Sequence, residues 1–412
     1  MAKVITTELQ HSGASGANIT LDSSKNVTAE NNLTVDGTLT VTGTTTLNGT
    51  VVGDNAGAGK ARNLIINGAC LVAQRATSST SHGYSTVDRL KPYETGTDCG
   101  TKTWSQSDVA AGNDCYNAGF RKAFKVTTAQ AGNTGTASDM FKHWATRIEA
   151  QDIAGSGWKY TDPNSKLALS FWIKASTADN FQVQLQTHDG TNKKFNFVAP
   201  ATTSWTKITK IIPGHADLQF DNNNDQWLSI GLYLAVGADF AGSVTQETWV
   251  ANTVAFLNSS QINTWIAAGA GNVETTGWQL EVGDAVTDYE HRSYGDELLR
   301  CQRYYENIYL SSYSACGQAY HVSNALATGW FRVEKRANPS MTFPAVGQGS
   351  GEITFTTASA SYPSTHGSIA VNDVSKHKFN YSGSGFTNCF GVGDAALLHC
   401  NGTGTVKANA EL

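Results

Sequence analysis

Asp288 and Glu290 stand two apart in TDYEHRSY. On a strand such residues share a face, and paired carboxylates are what glycosidic hydrolysis needs. Nothing in the chain completes a catalytic constellation around them. There is no nucleophile elbow, no HExxH, no Gly-rich dinucleotide loop and no cluster with metal-ligand spacing. The ten histidines are scattered singly, a pattern of structural residues rather than ligands. GDNAGAGKAR (53–62) superficially suggests a phosphate loop, but Asp54 and Ala61 stand where that motif needs other residues. The seven cysteines (70, 99, 115, 301, 316, 389 and 400) are odd in number and lack C-x-x-C spacing. They read as free, mostly buried thiols rather than a zinc site or disulfide framework. We therefore expect no enzyme, no metal and no cofactor.

Recognition of sugar is the sharper chemical expectation. Flat aromatic faces stack on sugar C–H surfaces while nearby polar groups hold hydroxyls. The chain has 10 Trp and 14 Tyr. Trp172, Trp205 and Trp227 fall in strand patterns and read as core. Trp104, Trp158, Tyr160 and Trp265, and in the last part of the chain Tyr320, His321, Trp330 and Phe386, are the candidate receptor contacts.

Charge excludes some partners. A formal net charge of −5 offers no electrostatic footprint for nucleic acid, and no basic run suggests a membrane surface. No apolar run approaches a spanning helix, and the start Met1-Ala-Lys followed by polar sequence does not read as a signal peptide. Synthesis in a cytosol without export is the expectation, and the Asn-x-Thr triplets near the start are then compositional.

The elements that would position such a site are all-β. Residues 33–53, LTVDGTLTVTGTTTLNGTVVG, repeat a six-residue unit with turns at Gly37, Gly43 and Gly49. Between turns the apolar residues alternate, as strands require. Two apolar residues per strand cannot offset a backbone ordering cost of about 1–2 kcal/mol per residue in a single copy. Several chains wound about one axis solve this, three being the usual number, with Leu33, Val35, Leu39, Val41, Leu47 and Val51 turned inward. Residues 1–32 are too polar for a core and read as an arm that orders against a partner. The stretch to residue 62 reads as shaft plus hinge.

From Asn63 the composition changes. NLIINGACLVAQR reads as apolar and strand-like, and strand-length runs follow at 120–127, 145–153, 166–175, 181–187, 205–213, 227–236 and 273–282. Turn-rich loops separate them, as in a sandwich or jelly roll over 63–295. LALSFWIKA and WLSIGLYLAV are the expected central strands, and 258–268 a short helix. DELLRCQRYYE (296–306) predicts a connector helix whose apolar face carries Leu298, Leu299, Cys301 and Tyr305. A smaller distal β-domain completes 296–412, with strands at 328–335, 352–357, 377–381 and 390–400 and a loop bracketed by Pro339 and Pro344.

The repeat LTVDGTLTVTGTTTLNG resembles shaft repeats in tail and collar fibres of tailed bacteriophages. NLIINGACLVAQR with STVDRLKPY, LALSFWIKAS, SWTKITKIIP and GWQLEVGDAVTDYEHRSYGDELLRCQRYYE resemble, in order, the opening, middle and closing strands of a carbohydrate-binding-like jelly roll found in many phage tail fibres. FRVEKRANPSMTF and VKANAEL resemble the distal domain of such fibres. The resemblance implies a homotrimeric tail fibre in a virion, an arm gripping tail or neck proteins, and a bacterial surface glycan or other envelope receptor as partner. It also places Asp288 and Glu290 at the exit of the closing strand, where turn roles are commonplace. A collar or spacer fibre without a receptor, and a polysaccharide depolymerase, are the alternatives.

Overall fold

A computed structural model of the chain describes residues 8–9, 19–21, 27–29, 62–95, 101–128, 140–252, 255, 271–309, 315–345, 352–357, 361–362, 368–384, 391–393, 395–400 and 404–412. The chain divides into two units, Met1–Gly53 and Asp54–Leu412. In the first, β1 (Glu8–Leu9), β2 (Ile19–Leu21) and β3 (Val27–Ala29) form an antiparallel meander with Leu9 opposite Ile19 and Leu21 opposite Val27. The weakly alternating apolar residues Ile19, Leu21 and Val27 of this polar segment fall on β2 and β3. The six-residue repeat, with Leu33, Val35, Leu39, Val41, Leu47 and Val51, lies outside the described residues.

The second unit is all-β apart from short helices. Its strands are β4 (Ser78–Ser79), β5 (Tyr93–Thr95), β6 (Lys102–Asp108), β7 (Lys122–Thr128), β8 (Met140–Glu149), β9 (Lys166–Ala175), β10 (Asp179–Thr187), β11 (Lys193–Ala201), β12 (Thr206–Pro213), β13 (Gln226–Val236), β14 (Trp249–Ala251) and β15 (Gly271–Val282). They form two six-stranded antiparallel sheets, ordered β12-β9-β15-β7-β6-β4 and β14-β11-β10-β13-β8-β5. The inner faces share one core in which Phe171 stacks on Trp278 at 3.7 Å between ring centroids. Most successive strands cross between sheets, the exceptions being β6–β7, β10–β11 and β13–β14, which makes the sandwich a jelly roll. LALSFWIKA (β9) and WLSIGLYLAV (β13) are interior strands because they are buried on nearly every residue, as expected. The strands β6, β11 and β14 escape sequence reading, since KTWSQSD and KKFNFVAPA carry polar residues at positions the structure buries.

Residues 63–75 correct the expectation of a strand. Asn67 and Cys70 both adopt left-handed backbone, with φ of 59° and 57°, so the run is a set of turns. Asn67 holds them. Its amide donates to the Val72 and Asp88 carbonyls at 2.8 and 2.9 Å, and its oxygen accepts from the Val72 N–H at 3.0 Å. The apolar residues Ile65, Cys70 and Val72 still enter the interior. The strand expected over 145–153 ends at Glu149, and α2 (Ala150–Gly155) follows, after the short α1 (Asp114–Asn117) earlier in the chain. The expected helix at 258–268 lies outside the described residues.

The connector helix α3 (Tyr294–Gln302) is shorter than predicted. Ser293 caps it by accepting from the Asp296 N–H, which sets its start. Tyr305 belongs instead to β16 (Tyr305–Tyr309), and Leu299 is exposed, because the buried side of the helix is Glu297, Cys301 and Gln302. Beyond it lie β17 (Ala315–His321), β18 (Asn324–Trp330), β19 (Ser340–Thr342), β20 (Ile353–Thr357), β21 (Ser361–Tyr362), β22 (Ser368–Val374), β23 (Lys378–Ser384), β24 (Ala395–Cys400) and β25 (Thr405–Asn409). They build a three-stranded sheet β16-β25-β19 and a seven-stranded sheet β21-β20-β24-β17-β18-β23-β22 around a second core of Phe379, Tyr381, Ile353 and Val406. Between Pro339 and Pro344, where a loop is expected, sits β19, because Ser340–Thr342 pairs with β25.

The final residues cross the expected boundary at 295/296. Glu411 lies between Arg89, which it pairs with directly, and Arg75 at 3.2 Å; all three side chains are nearly inaccessible. Arg89 also donates to the Arg147 carbonyl at 2.7 Å and lies 3.4 Å from the Tyr304 ring centroid. Arg336 reaches the Asn224 and Ala410 carbonyls at 3.0 Å each. Of the cysteines, Cys70, Cys115 and Cys301 are free and buried.

Candidate functional site

The two sheets differ in what covers their outer faces. On the first, Ala69, Val109, Cys115, Phe120 and Trp205 pack with Leu71, Trp172 and Tyr289 into a separate, smaller apolar cluster. Glycine is required there. A Cβ on Gly277 (φ +68°) would meet the Phe120 ring at 2.5 Å. The cluster covers part of that face, while Lys207 and Thr209 of β12 remain exposed on it.

The outer face of the second sheet is polar. Strand pairing fixes which residues share it. On β13, Ser229, Gly231 and Tyr233 point out while Leu228, Ile230 and Leu232 point into the core. Gly231 lies opposite Gln184 of β10 and Ala145 of β8. Ser229 lies opposite Gln186 and Arg147, and Tyr233 opposite Gln182 and Lys142. Lys142 in turn faces Tyr93 of the edge strand β5. Toward β11 the face is roofed by residues 244–247. Asn196 donates to the Thr245 carbonyl at 3.3 Å, and Gln246 accepts from Gln182 at 3.1 Å.

Between that roof and β5 the face opens into a groove of ≈ 300 Å³, at the small end of ligand-site volumes. Lys91, Tyr93, Lys142, Arg147, His188 and Tyr233 give it its chemistry, with Gln184, Gln186 and Ser229 as neutral hydrogen-bonding groups. Gly231 makes the floor. A Cβ there would come to 3.2 Å from Lys142 Cδ and 3.3 Å from the Tyr233 ring, so its absence lets both side chains lie over the sheet. The Lys142 ammonium sits 4.8 Å from the Tyr233 ring centroid. Tyr233 is buried beneath it, while Tyr93, 38% exposed, presents its ring at the rim.

His188 Nε2 is 2.8 Å from Ser229 Oγ. Burial, reinforced by the Arg147 and Lys142 charges, lowers its pKa to about 4, so the ring is neutral at pH 7 and can exchange hydrogen bonds with hydroxyls. Lys91 is likewise pushed down by burial and by the same two cations. Gln184 is anchored by donating to Asn196 Oδ1 at 2.9 Å. The arrangement is a partly enclosed groove lined with hydrogen-bonding and cationic groups. Its lining sets the Ser229 hydroxyl beside the His188 imidazole but supplies no carboxylate, either to orient that ring or to form a carboxylate pair.

Most candidates from the sequence lie elsewhere. Trp104 is wholly buried on β6 and Trp158 is buried against Trp227 with its indole N–H donating to the Ser165 carbonyl at 3.0 Å. Both are core residues rather than receptor contacts, because strand alternation turns one inward and the α2–β9 turn packs the other on the sandwich end. Tyr160 packs edge-on against Phe220 at 4.4 Å and is half-buried. Trp265 and Phe386 lie outside the described residues. Tyr320 and Trp330, 52% and 67% exposed, and the exposed His321 do face solvent, on β17 and β18 of the distal sheet, apart from the groove lining. Asp288 and Glu290 are not on a strand. Asp288 is exposed, and Glu290 is committed to the Asn63 N–H at 2.6 Å and to Arg292 at 3.2 Å, a structural clip for the turn-rich opening segment. Among the described residues no group of His, Cys, Asp and Glu is placed to hold a metal.

None of the groove residues is evident from aromatic content. The signal that marks them is the row Gln182, Gln184, Gln186, His188 alternating with the buried Phe181, Val183 and Leu185, a polar outer face on an interior strand.

No family model matches the chain, and no curated protein matches it in sequence. Among solved structures it is similar to the enzymatically active domain of tailspike protein 4 of bacteriophage CBA120, at 10% identity and a TM-score of 0.29, over 54% of this chain and 21% of that one. The chain thus spans about a fifth of that protein's length. It is also similar to a family 11 carbohydrate-binding module of Clostridium thermocellum (14% identity, TM-score 0.25, 52% of this chain and 98% of that one). A third likeness is to a putative sugar-binding protein of Bacteroides thetaiotaomicron (12% identity, TM-score 0.26, 54% of this chain and 100% of that one).

Proposed function

We propose that the chain is an adhesin of a tailed-phage virion, a homotrimeric tail fibre that holds a bacterial surface glycan in the groove on the second sheet. The observation that carries this reading is the groove itself. An apolar cluster covers part of one outer face of the sandwich, while the other keeps a row of amide, hydroxyl, imidazole and cationic groups with an aromatic ring at its rim. Neutral hydrogen-bonding groups set at strand spacing suit a chain of hydroxyls, and the Tyr93 ring suits a sugar face.

The fibre half of the proposal rests on the repeat over 33–53, whose two apolar residues per strand call for companion chains. Trimerisation would set three shallow sites side by side, and multivalency raises avidity by orders of magnitude without new contacts. The segment before the repeat would attach to tail or neck proteins. The action is binding without turnover.

The test is retention of the full chain on immobilised host-envelope glycans, with Tyr93→Ala and Gly231→Val compared with the unaltered chain. The reading predicts retention that both variants lose while keeping their melting temperatures within a few degrees. Undiminished retention in both variants would remove the groove from the account. Sedimentation equilibrium tests the oligomer, for which a stable monomer is the contrary result.

A further inference from the structure

The groove is more basic than the chain that carries it. Lys91, Lys142 and Arg147 line it and no carboxylate does, in a chain of net charge −5. None of the three makes an ion pair with a described residue. The acidic groups on neighbouring elements are committed elsewhere. Glu94, beside Tyr93, pairs with Lys102 at 2.5 Å. Glu149, at the end of β8, binds Arg303 at 2.8 Å. Glu411, whose charge reaches Lys91 without pairing with it, is taken by Arg89 and Arg75. Asp189, next to His188, accepts from the Asp221 N–H at 3.0 Å. Partly enclosed cations without counter-charges are costly, and an incoming anion relieves that cost.

We propose that the groove selects an anionic saccharide, whose carboxylate or phosphate group sits against Lys142, Arg147 and Lys91 while its hydroxyls meet Gln186, Ser229 and His188. This rests on the reading of the groove as the glycan site and names what that site takes. The depressed proton affinities of Lys91 and His188, each driven partly by Arg147 and Lys142, reflect the same positive field. Charge-assisted hydrogen bonds from the Arg147 guanidinium supply the discrimination, since they are roughly twice as strong as neutral ones. Loss of such bonds lowers affinity by about tenfold or more.

The test measures binding of the full chain to three immobilised panels: uronic-acid oligosaccharides, phosphate-bearing oligosaccharides and neutral oligosaccharides of matched length. The expected result is at least about tenfold tighter binding to one anionic panel than to the neutral one, weakening as salt is raised. Which anionic panel binds identifies the source of the charge. Lys142→Gln and Arg147→Gln should each erase the preference. Lys122→Gln, which removes an equal charge beside Asp108 on the other sheet, should not. Equal or tighter binding to neutral sugars, abolished by Tyr93→Ala, would overturn the anionic preference and leave the glycan site standing. Absence of binding to any panel would overturn both.

Discussion

Replacing Glu411 by Gln keeps its shape and removes its charge. The Arg89 guanidinium is then left in an interior where its side chain is 1% exposed. Breaking a buried pair from one side costs about 3–5 kcal/mol, because the remaining charge loses its partner without regaining water. Arg89 retains the Arg147 carbonyl at 2.7 Å and the Tyr304 ring at 3.4 Å, and Arg75 retains Asp88 at 3.5 Å. The low end of the range, about 3 kcal/mol, is therefore expected. Arg89→Met should cost a similar amount by stranding Glu411. The double variant removes both charges and should cost no more than either single one, giving a coupling of about 3 kcal/mol. Urea unfolding of the full chain followed by tryptophan fluorescence measures all three, at constant m-value. A Glu411→Gln cost below about 0.5 kcal/mol, or a double variant equal to the sum of the singles, would refute the claim that the last residues lock onto the jelly roll through a desolvated charge pair.

Asn67→Ala strands the Val72 N–H and two carbonyls and places Ala at φ 59°, so a loss of about 2–4 kcal/mol is expected in the same urea assay. Trp278→Ala removes the ring stacked on Phe171 and should cost about 3–5 kcal/mol, read from the melting temperature. His143 is wholly buried against Phe124 and burial lowers its pKa from 6.5 to about 3. The unfolded chain therefore binds the extra proton below pH 6.5, and the stability His143 allows at neutral pH drains away as pH falls from there toward 3. His143→Phe should flatten the decline in melting temperature between pH 7 and 4. Asp88, raised by burial to about 6, acts in the opposite sense in both proteins and cancels from the comparison.

Strands buried on both faces were legible because their composition is continuous. β9 occupies its expected span, and β13 and β15 begin one or two residues early. The opening segment misled because apolar content reports burial, not backbone shape. Ile65 and Val72 are interior, yet side-chain amides and two left-handed residues make the run a series of turns. Aromatic residues misled for the same reason: Trp104 and Trp158 contribute area to the core, and surroundings rich in polar residues do not expose them. The groove depends on long-range register, Lys142 opposite Tyr233 and Gln184 opposite Gly231, which no local pattern encodes. What local pattern did hold was the polar alternation of β10.

Hydrogen exchange on the full chain, with and without the oligosaccharide that the panels retain best, tests the groove most directly. The account predicts ligand-dependent protection confined to residues 91–95, 142–147, 184–188 and 229–233. Protection centred instead on β17 and β18 around Tyr320 and Trp330, with those four segments unchanged, would contradict it.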